Sequence, residues 1–263
     1  MSSVYTANAT AGAKSSVGVF TLPCGYLDDK NKLHKEIEVS ELTGEQEDLL
    51  LGASSADKKI NGLLAGCLKR VGDYTEPHLM LNIVKDMLIG DRVALLFAIR
   101  RITYTDSYVV KETCPNPECT HVQEHPVNLS EMKLIELEDP MKREFEFTTS
   151  DGTLVKYHLP TGQDEQNALS ASKNVQEMST FFLMRIHEYN EIKLDLNSEF
   201  GKMRARAVIK SIPIMKRQEI RKILLDKDKS GVDTKRVYVC DACGNEYEKE
   251  LNTDFSFFFP FLV

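Results

Sequence analysis

Four of the six cysteines form two close pairs, and these pairs are the residues in the chain best suited to bind a metal. Cys114 and Cys119 are separated by four residues, and Cys240 and Cys243 by two. The opening residues show no signal-peptide pattern, so we expect a reducing, cytoplasmic compartment. In that setting paired cysteines favour zinc over disulfides.

Each cysteine pair lies in the turn between two predicted β-arms. A turn of this kind directs two sulfurs to one side, so two turns that face each other supply a tetrahedral set of four thiolates. Zn²⁺ suits such a set because its filled d shell imposes no geometry of its own. With four sulfurs bound, no position is left for a catalytic water. We therefore predict one structural zinc per chain, with the ligands Cys114, Cys119, Cys240 and Cys243.

Two other interpretations of the cysteines stay open. The four thiols could be reduced and buried, or could form a site that has lost its metal. His121 and His125 could replace a cysteine as ligands, although the single residue between Cys119 and His121 is too little chain for a two-cysteine, two-histidine finger. Cys24 and Cys67 have no histidine or aspartate partner in the sequence pattern, which favours packing in a core.

The elements around the cysteines predict an α+β fold. Residues 17–40 are rich in β-formers, and residues 41–104 show helical periodicity. Arms typical of β-strands flank each cysteine pair. A further hairpin is predicted around the turn Ser150-Asp151-Gly152, and helical periodicity returns over residues 161–228. The fold class is thus α+β, with a helical N-terminal region, two β-hairpins whose cysteine knuckles form one zinc-ribbon-like clamp, and an inserted hairpin plus helical block.

The 120 residues between Cys119 and Cys240 determine the predicted domain organisation. A self-contained zinc ribbon closes over a much shorter loop, so here the metal would join the middle of the chain to its end. Four parts are predicted, and the third is discontinuous. They are a flexible arm (1–16), a strand start and helical region (17–104), a zinc-clamped β region with an apolar C-terminal tail (105–144 and 235–263), and an inserted β-hairpin and helical block (145–234).

Composition narrows the class of function. The chain has 263 residues, a net charge of −7 and a hydrophobic content of 42%, which is typical of a globular protein. The acidic balance argues against nonspecific nucleic-acid binding. No apolar stretch reaches the ~18 residues of a membrane helix, so we expect no membrane insertion. Nucleotide-binding, metalloprotease and serine-hydrolase motifs do not occur, and we expect no enzymatic activity and no small-molecule substrate.

Two segments have a composition that the predicted helices, strands and zinc site do not account for. Residues 202–222 carry a run of basic side chains, which is either a solvated helix face or a site for nucleic acid or an acidic partner. The uncharged segment over 255–263 contains five phenylalanines, so it either packs against the core or inserts into a partner. Pro260 favours an irregular, docked segment. We predict partner binding through Phe255, Phe257, Phe258, Phe259 and Phe261.

Four segments, in their order along the chain, resemble the T-even-type phage baseplate hub assembly protein family, known as hub assembly chaperones of contractile tails and related injection systems. They are LPCGYL…KEIEVSELTGEQEDLLL, LIGDRVALLFAIRRITYTDSY, the first cysteine pair with HPVNLSEM, and YVCDACGNEYEKELNTDFSFFFPF, and they span residues 21–263. The chain departs from the family pattern at Thr105, where glycine is usual. It also departs in its first cysteine pair, where a spacing of two residues is frequent.

The resemblance implies a non-enzymatic role in building the baseplate hub, with hub, spike or tail-assembly proteins as partners. It also implies a location in the cytoplasm of the producing bacterial host cell, with retention in the finished baseplate left open. The alternative is a zinc-ribbon adaptor for nucleic acid or protein, but Asp241, Glu246, Glu248 and Glu250 make the second cysteine pair acidic. A metalloenzyme would need an open ligand position, which four thiolates do not leave.

Overall fold

The molecule combines helices with several small antiparallel sheets, so the predicted α+β class is confirmed. The computed structural model describes residues 16–171, 175–251 and 255–258. Of the flexible arm predicted over residues 1–16, only Ser16 lies within the described residues. Its backbone N–H donates to Glu41 Oε1 at 3.0 Å.

Short strands alternate with helices along the whole chain. In chain order the elements are β1 (Val17–Leu27), β2 (Leu33–Ser40), α1 (Gly44–Leu51), α2 (Ala56–Cys67), β3 (Leu68–Val71), α3 (Pro77–Asp86), α4 (Ile89–Thr103), β4 (Ser107–Thr113), β5 (Val122–Asn128), β6 (Leu134–Ile135), β7 (Glu144–Thr148), β8 (Leu154–His158), α5 (Gly162–Ala171), α6 (Val175–Leu183), β9 (Ile186–Tyr189), β10 (Ile192–Lys193), α7 (Glu199–Ser211), α8 (Ile214–Lys227), β11 (Gly231–Val232), β12 (Lys235–Val239), β13 (Glu246–Glu250) and α9 (Phe255–Phe258).

A three-stranded sheet begins the fold, with β2 between β1 and β3. The first half of β1 buries alternate side chains, as expected of a strand with one face on a core. Thr43 followed three residues later by Gln46 is the sequence pattern of a capping box. The box is present before α1, because Gln46 Oε1 accepts the backbone N–H of Thr43 at 3.0 Å. α3 begins at Pro77, where the missing backbone N–H costs no helical hydrogen bond.

The end of α2 differs from the sequence pattern. The periodicity predicts one helix from Ala56 to Gly72, but α2 ends at Cys67 and β3 follows directly. β3 pairs antiparallel with β2, so hydrogen bonding to a neighbouring strand outweighs the local helical pattern. Gly72 then turns the chain with a φ of 53°, a left-handed conformation that favours glycine.

The inserted block contains a four-stranded sheet in the order β10-β9-β8-β7. The hairpin predicted around residues 150–152 is present as β7 and β8. The helical stretch predicted over 161–228 is interrupted by β9 and β10, because β9 pairs antiparallel with β8 and extends the sheet. Helices α7 and α8 follow. β11 then pairs with β6, which brings the chain back to the region of the first cysteine hairpin.

Two main clusters of buried apolar side chains hold these elements together. The first core combines the three-stranded sheet and α2–α4 with the first cysteine hairpin and the end of the chain, through side chains such as Leu22, Ile37, Leu64, Val84, Leu95, Ile99, Val110, Val127, Leu251 and Phe257. The second core lies wholly within residues 155–224 and includes Val155, Tyr157, Leu183, Ile186, Ala205, Ile209, Ile220 and Leu224. The predicted boundaries of the four parts stay a prediction.

A small seam joins the two cores. Cys24 from β1, Leu88 directly before α4 and Leu159 directly after β8 are buried together. Beside them the backbone N–H of Ile89 donates to Pro160 O at 2.9 Å, and that of Gly162 to Met87 O at 3.0 Å. The seam therefore ties the start of α4 to the chain that leaves β8.

Candidate metal centre

The first cysteine pair lies in a tight loop between β4 and β5. The backbone N–H of Cys114 donates to His121 O at 2.8 Å, which closes the loop at the end of the hairpin. Inside it, the N–H of Cys119 donates to Asn116 O at 3.0 Å. Thr120 has a φ of 48°, which turns the chain back into β5. Both sulfurs are thus presented from one end of the hairpin.

The second cysteine pair occupies the equivalent loop between β12 and β13. The N–H of Cys240 donates to Asn245 O at 2.9 Å, and the N–H of Gly244 donates to Cys240 O at 2.8 Å. Gly244 has a φ of 70°, a value that explains the glycine directly after Cys243. In both hairpins, therefore, the N–H of the first cysteine closes the loop by donating to a backbone carbonyl that follows the second cysteine.

The four sulfurs come together across the two hairpins. Cys114 Sγ lies 3.8 Å from Cys243 Sγ, and Cys119 Sγ lies 3.7 Å from Cys240 Sγ. All four sulfurs lie within 4.8 Å of one another. Four sulfurs at about 2.3 Å from a central zinc are about 3.8 Å apart, whereas a disulfide requires about 2.05 Å. The spacing fits ligands around one metal ion and excludes disulfides.

Burial and charge differ among the four thiols. Cys114 and Cys240 are buried, Cys119 is half-buried and Cys243 is exposed. The backbone N–H of Asn245 lowers the pKa of the Cys243 thiol to about 7, whereas burial raises the pKa of Cys114. A metal must therefore displace protons from the more deeply placed sulfurs, which makes its affinity rise with pH.

Gln123 links the two hairpins directly beside the sulfurs. Its side-chain Nε2 donates to Val239 O at 2.8 Å, and its Oε1 accepts the N–H of Asp241 at 2.9 Å. Gln123 itself is 9% exposed, whereas Val239 and Asp241 lie at the surface, so both bonds are partly buried. The sequence reasoning did not identify Gln123, because nothing in β5 alone indicates which residue faces the second hairpin. An ion pair between Lys249 and Glu112 adds a further link.

Neither histidine near the first pair belongs to the sulfur cluster. His121 is exposed, and the ring of His125 packs against that of Tyr238 at a tilt of 53°, with ring centroids 4.6 Å apart. Among the described residues, the group that could bind a metal consists of the four cysteines alone. Cys24 and Cys67 are fully buried, each in an apolar cluster.

The apolar tail returns to the first core directly after the second hairpin. Leu251 is 5% exposed and its N–H donates to Thr234 O at 2.9 Å. Phe257 is fully buried, with its ring 5.1 Å from those of Phe97 and Tyr108. Tyr104 donates its hydroxyl to Phe258 O at 2.6 Å. The tail thus packs where the cysteine hairpins meet the helices.

The predicted partner-binding residues are therefore not alike. Phe257 and Phe258 are 0% and 5% exposed and pack in the chain's own core. The side chain of Phe255 and the whole of Phe259 and Phe261 lie outside the described residues. Partner binding through the five phenylalanines stays a prediction.

A buried carboxylate lies at the seam, away from the sulfurs. Asp91 Oδ1 accepts the N–H of Cys24 at 2.7 Å, and burial raises the pKa of Asp91 to about 6. Arg92 donates to Val84 O and to Glu165, each at 2.7 Å. The sequence Asp91-Arg92 predicts a helix-start cap beside an ion-pairing arginine. The ion pair of Arg92 is present, but Asp91 anchors β1 to α4 and does not cap the helix.

Comparison with known proteins identifies a family. A family model described as T4 bacteriophage base plate protein matches residues 24–260. No curated protein and no solved structure matches the chain. Within the described residues, no helix is long and apolar enough to cross a membrane.

Proposed function

The chain belongs to the family of T4 bacteriophage base plate proteins, and on that premise we propose that it is a non-enzymatic assembly factor of the hub of a contractile-tail baseplate. The observation that carries the proposal is the family match over residues 24–260, which covers both cysteine pairs and most of both cores. Baseplate proteins act by contacting other baseplate and tail proteins. Hub, spike and tail-assembly proteins are therefore the proposed partners.

The second part of the proposal is that the four cysteines bind one structural zinc. The distances between the sulfurs support it, because each cross-hairpin pair is spaced like the edge of a tetrahedral thiolate site. The ligands come from both hairpins, so the metal would link residue 119 to residue 240. With four protein ligands the zinc would be closed to substrate, which supports a structural role and not a catalytic one.

The surface around the sulfurs argues against the alternative of a nucleic-acid adaptor. β13 carries the exposed carboxylates Glu246, Glu248 and Glu250, and Asp241 is exposed in the knuckle itself. Lys235 and Lys249 pair with Glu248 and Glu112, which leaves the carboxylates of Asp241, Glu246 and Glu250 in excess. An acidic surface repels the phosphate backbone. Contact with proteins is the better explanation.

Assembly takes place, on this proposal, in the cytoplasm of the producing host cell. The test is to delete the gene in a host that makes the particle and to purify baseplate intermediates for mass spectrometry. An assembly factor predicts hubless intermediates without the chain, recovery on complementation, and co-purification of the chain with hub components. Normal baseplates in its absence would contradict the proposal.

The tail gives a second test. Removing residues 259–263 takes away Phe259 and Phe261 but keeps the buried Phe257 and Phe258. If the two removed phenylalanines anchor a partner, the shortened chain melts like the full chain but no longer co-purifies with hub components. Unchanged co-purification would rule out a partner role for them.

A further inference from the structure

The α7–α8 pair has a charge opposite to that of the rest of the molecule. From residue 199 to residue 227 there are nine lysines and arginines against three aspartates and glutamates, in a chain whose net charge is −7. Several of these cations are used within the fold. Arg217, for example, is buried and donates to Ile209 O at 3.0 Å, and Lys216 pairs with Asp151.

Other cations of α7 have no such internal role. Arg204 and Lys210 are exposed and make no ion pair or hydrogen bond with any described residue. The guanidinium of Arg204 lies over the ring of Phe200 at 5.9 Å, at the surface. Two positive charges therefore remain available for a carboxylate from outside.

The same helix exposes large apolar side chains. Phe200 and Met203 are 69% and 70% exposed, and with Ala207 they follow the i, i+3, i+7 spacing of one helix face. Ile214 and Met215, at the start of α8, are 61% and 73% exposed. Large apolar residues grouped at the surface are typical of a protein contact. We call the α7 residues Phe200, Met203, Arg204 and Lys210 the α7 face.

α1 offers a complementary surface. Glu45, Glu47 and Asp48 are exposed, and none makes an ion pair with a described residue. Leu51, at the end of the same helix, is 56% exposed. α1 belongs to the first region and α7 to the second. A contact between the two helices of neighbouring copies therefore uses two different surfaces of the same chain.

We infer that the α7 face binds α1 of a second copy of this chain. Arg204 and Lys210 would meet the carboxylates of α1, and the exposed apolar residues of α7 would cover Leu51. Because the two surfaces differ, the contact is head-to-tail and produces a closed ring or a short filament. The exposed phenylalanine and methionines favour a protein over a nucleic acid as the occupant. The inference does not depend on the proposed baseplate role.

Sedimentation equilibrium of the full chain, at low and high salt, tests the inference. The expected result is concentration-dependent association at low salt that weakens at high salt, because the contact joins opposite charges. The double variant Arg204→Glu/Lys210→Glu should raise the dissociation constant about tenfold or more, since like charges then face each other. The double variant Glu47→Lys/Asp48→Lys should do the same, because these two carboxylates lie on the same side of α1 as Leu51.

Mixing the two double variants gives the decisive result. Each variant alone places like charges at the contact, but a mixture pairs acidic α7 with basic α1 and basic α7 with acidic α1, so association should return. Lys30→Glu/Lys133→Glu, two exposed lysines outside both α1 and α7, is the matched control and should associate like the natural chain. A chain that is monomeric at all concentrations would overturn the inference. So would a mixture that stays monomeric, or a monomer that binds duplex DNA through Arg204 and Lys210.

Discussion

The two cores of this protein are assembled in opposite ways. The second core collects its buried side chains from one continuous stretch, residues 155–224, whereas the first combines residues 20–132 with residues 251–258. Joining the ends of a long loop costs more conformational entropy than joining those of a short one. The first core therefore has the greater need for a link between its parts, and the four-cysteine cluster lies where that link is required.

The position of the tail strengthens this contrast. β13 ends at Glu250, and within eight residues the chain has buried Leu251, Phe257 and Phe258 in the first core. Fixing the second cysteine hairpin against the first therefore also fixes where the tail enters the core. We propose that the zinc clamp closes the first core and leaves the second core largely unaffected.

Loss of a zinc ligand should have the largest effect. Cys240→Ser removes a buried ligand, and structural zinc sites contribute on the order of 10 kcal/mol or more to folding. We expect amide protection to be lost in β4, β5, β12 and β13 but kept in β7, β8 and α7, as measured by hydrogen exchange. Glu118→Gln, an exposed change in the first knuckle, is the control. Equal loss of protection in both cores would remove the contrast between them.

Truncation of the tail's buried ring should be the next largest effect. Phe257→Ala leaves a cavity between Phe97 and Tyr108 and should cost about 3–5 kcal/mol of the free energy of unfolding in urea. Phe200→Ala is the matched control, because Phe200 is 69% exposed and its loss should change stability by about 0.5 kcal/mol or less in dilute solution. Similar values for the two variants would mean that the tail does not belong to the first core.

Asp91 makes the stability of the seam depend on pH. Burial raises the pKa of Asp91 to about 6 in the folded chain from 3.8, so the folded state binds more protons than the unfolded state between these values. The free energy of unfolding is therefore highest at low pH, where Asp91 is protonated. It falls by about 3 kcal/mol as the pH rises from about 4 to 6.

Asp91→Asn stays neutral and should lack this dependence. Unfolding free energies of the natural chain and the variant, compared at each pH, isolate the effect because the zinc contribution is common to both. The free energy of unfolding of the variant should therefore increase relative to that of the natural chain as the pH rises from about 4 to 6. A difference that is independent of pH would show that Asp91 is not held in an environment that disfavours its charge.

The smallest effect is expected at Gln123, because this residue positions the second cysteine hairpin but is not itself a proposed zinc ligand. Gln123→Ala leaves the N–H of Asp241 and the carbonyl of Val239 unpaired and should cost about 1–3 kcal/mol. Because the residue positions the second knuckle, zinc affinity should also fall, by about tenfold or more in competition with a chelator. Gln218→Ala on the exposed side of α8 is the control. Unchanged zinc affinity would mean that the knuckles are positioned without Gln123.

Local patterns predicted the parts of this molecule that are stabilised locally. The capping box at Thr43, the hairpin around Gly152 and the arms beside each cysteine pair are all present, because turn residues and alternation determine them within a few positions. The meeting of the four sulfurs also follows from the sequence, since paired cysteines in matching turns indicate a common site.

The remaining features depend on distant partners. β3 and β9 are strands because β2 and β8 lie beside them, although both segments were predicted to be helical. The burial of Phe257 depends on Phe97 and Tyr108, more than a hundred residues earlier in the chain. An apolar tail has the same sequence pattern whether it packs in its own core or in a partner's, so only the tertiary contacts distinguish the two.

The most direct test of the clamp is the zinc content of protein that has never met a chelator, measured together with the reactivity of its thiols. The clamp predicts about one zinc per chain, with Cys114, Cys119, Cys240 and Cys243 protected from a thiol reagent until the metal is removed. Removal should then expose β4, β5, β12 and β13 to hydrogen exchange before the second core. Less than about a tenth of a zinc per chain, with all four thiols freely reactive in a folded protein, would contradict it.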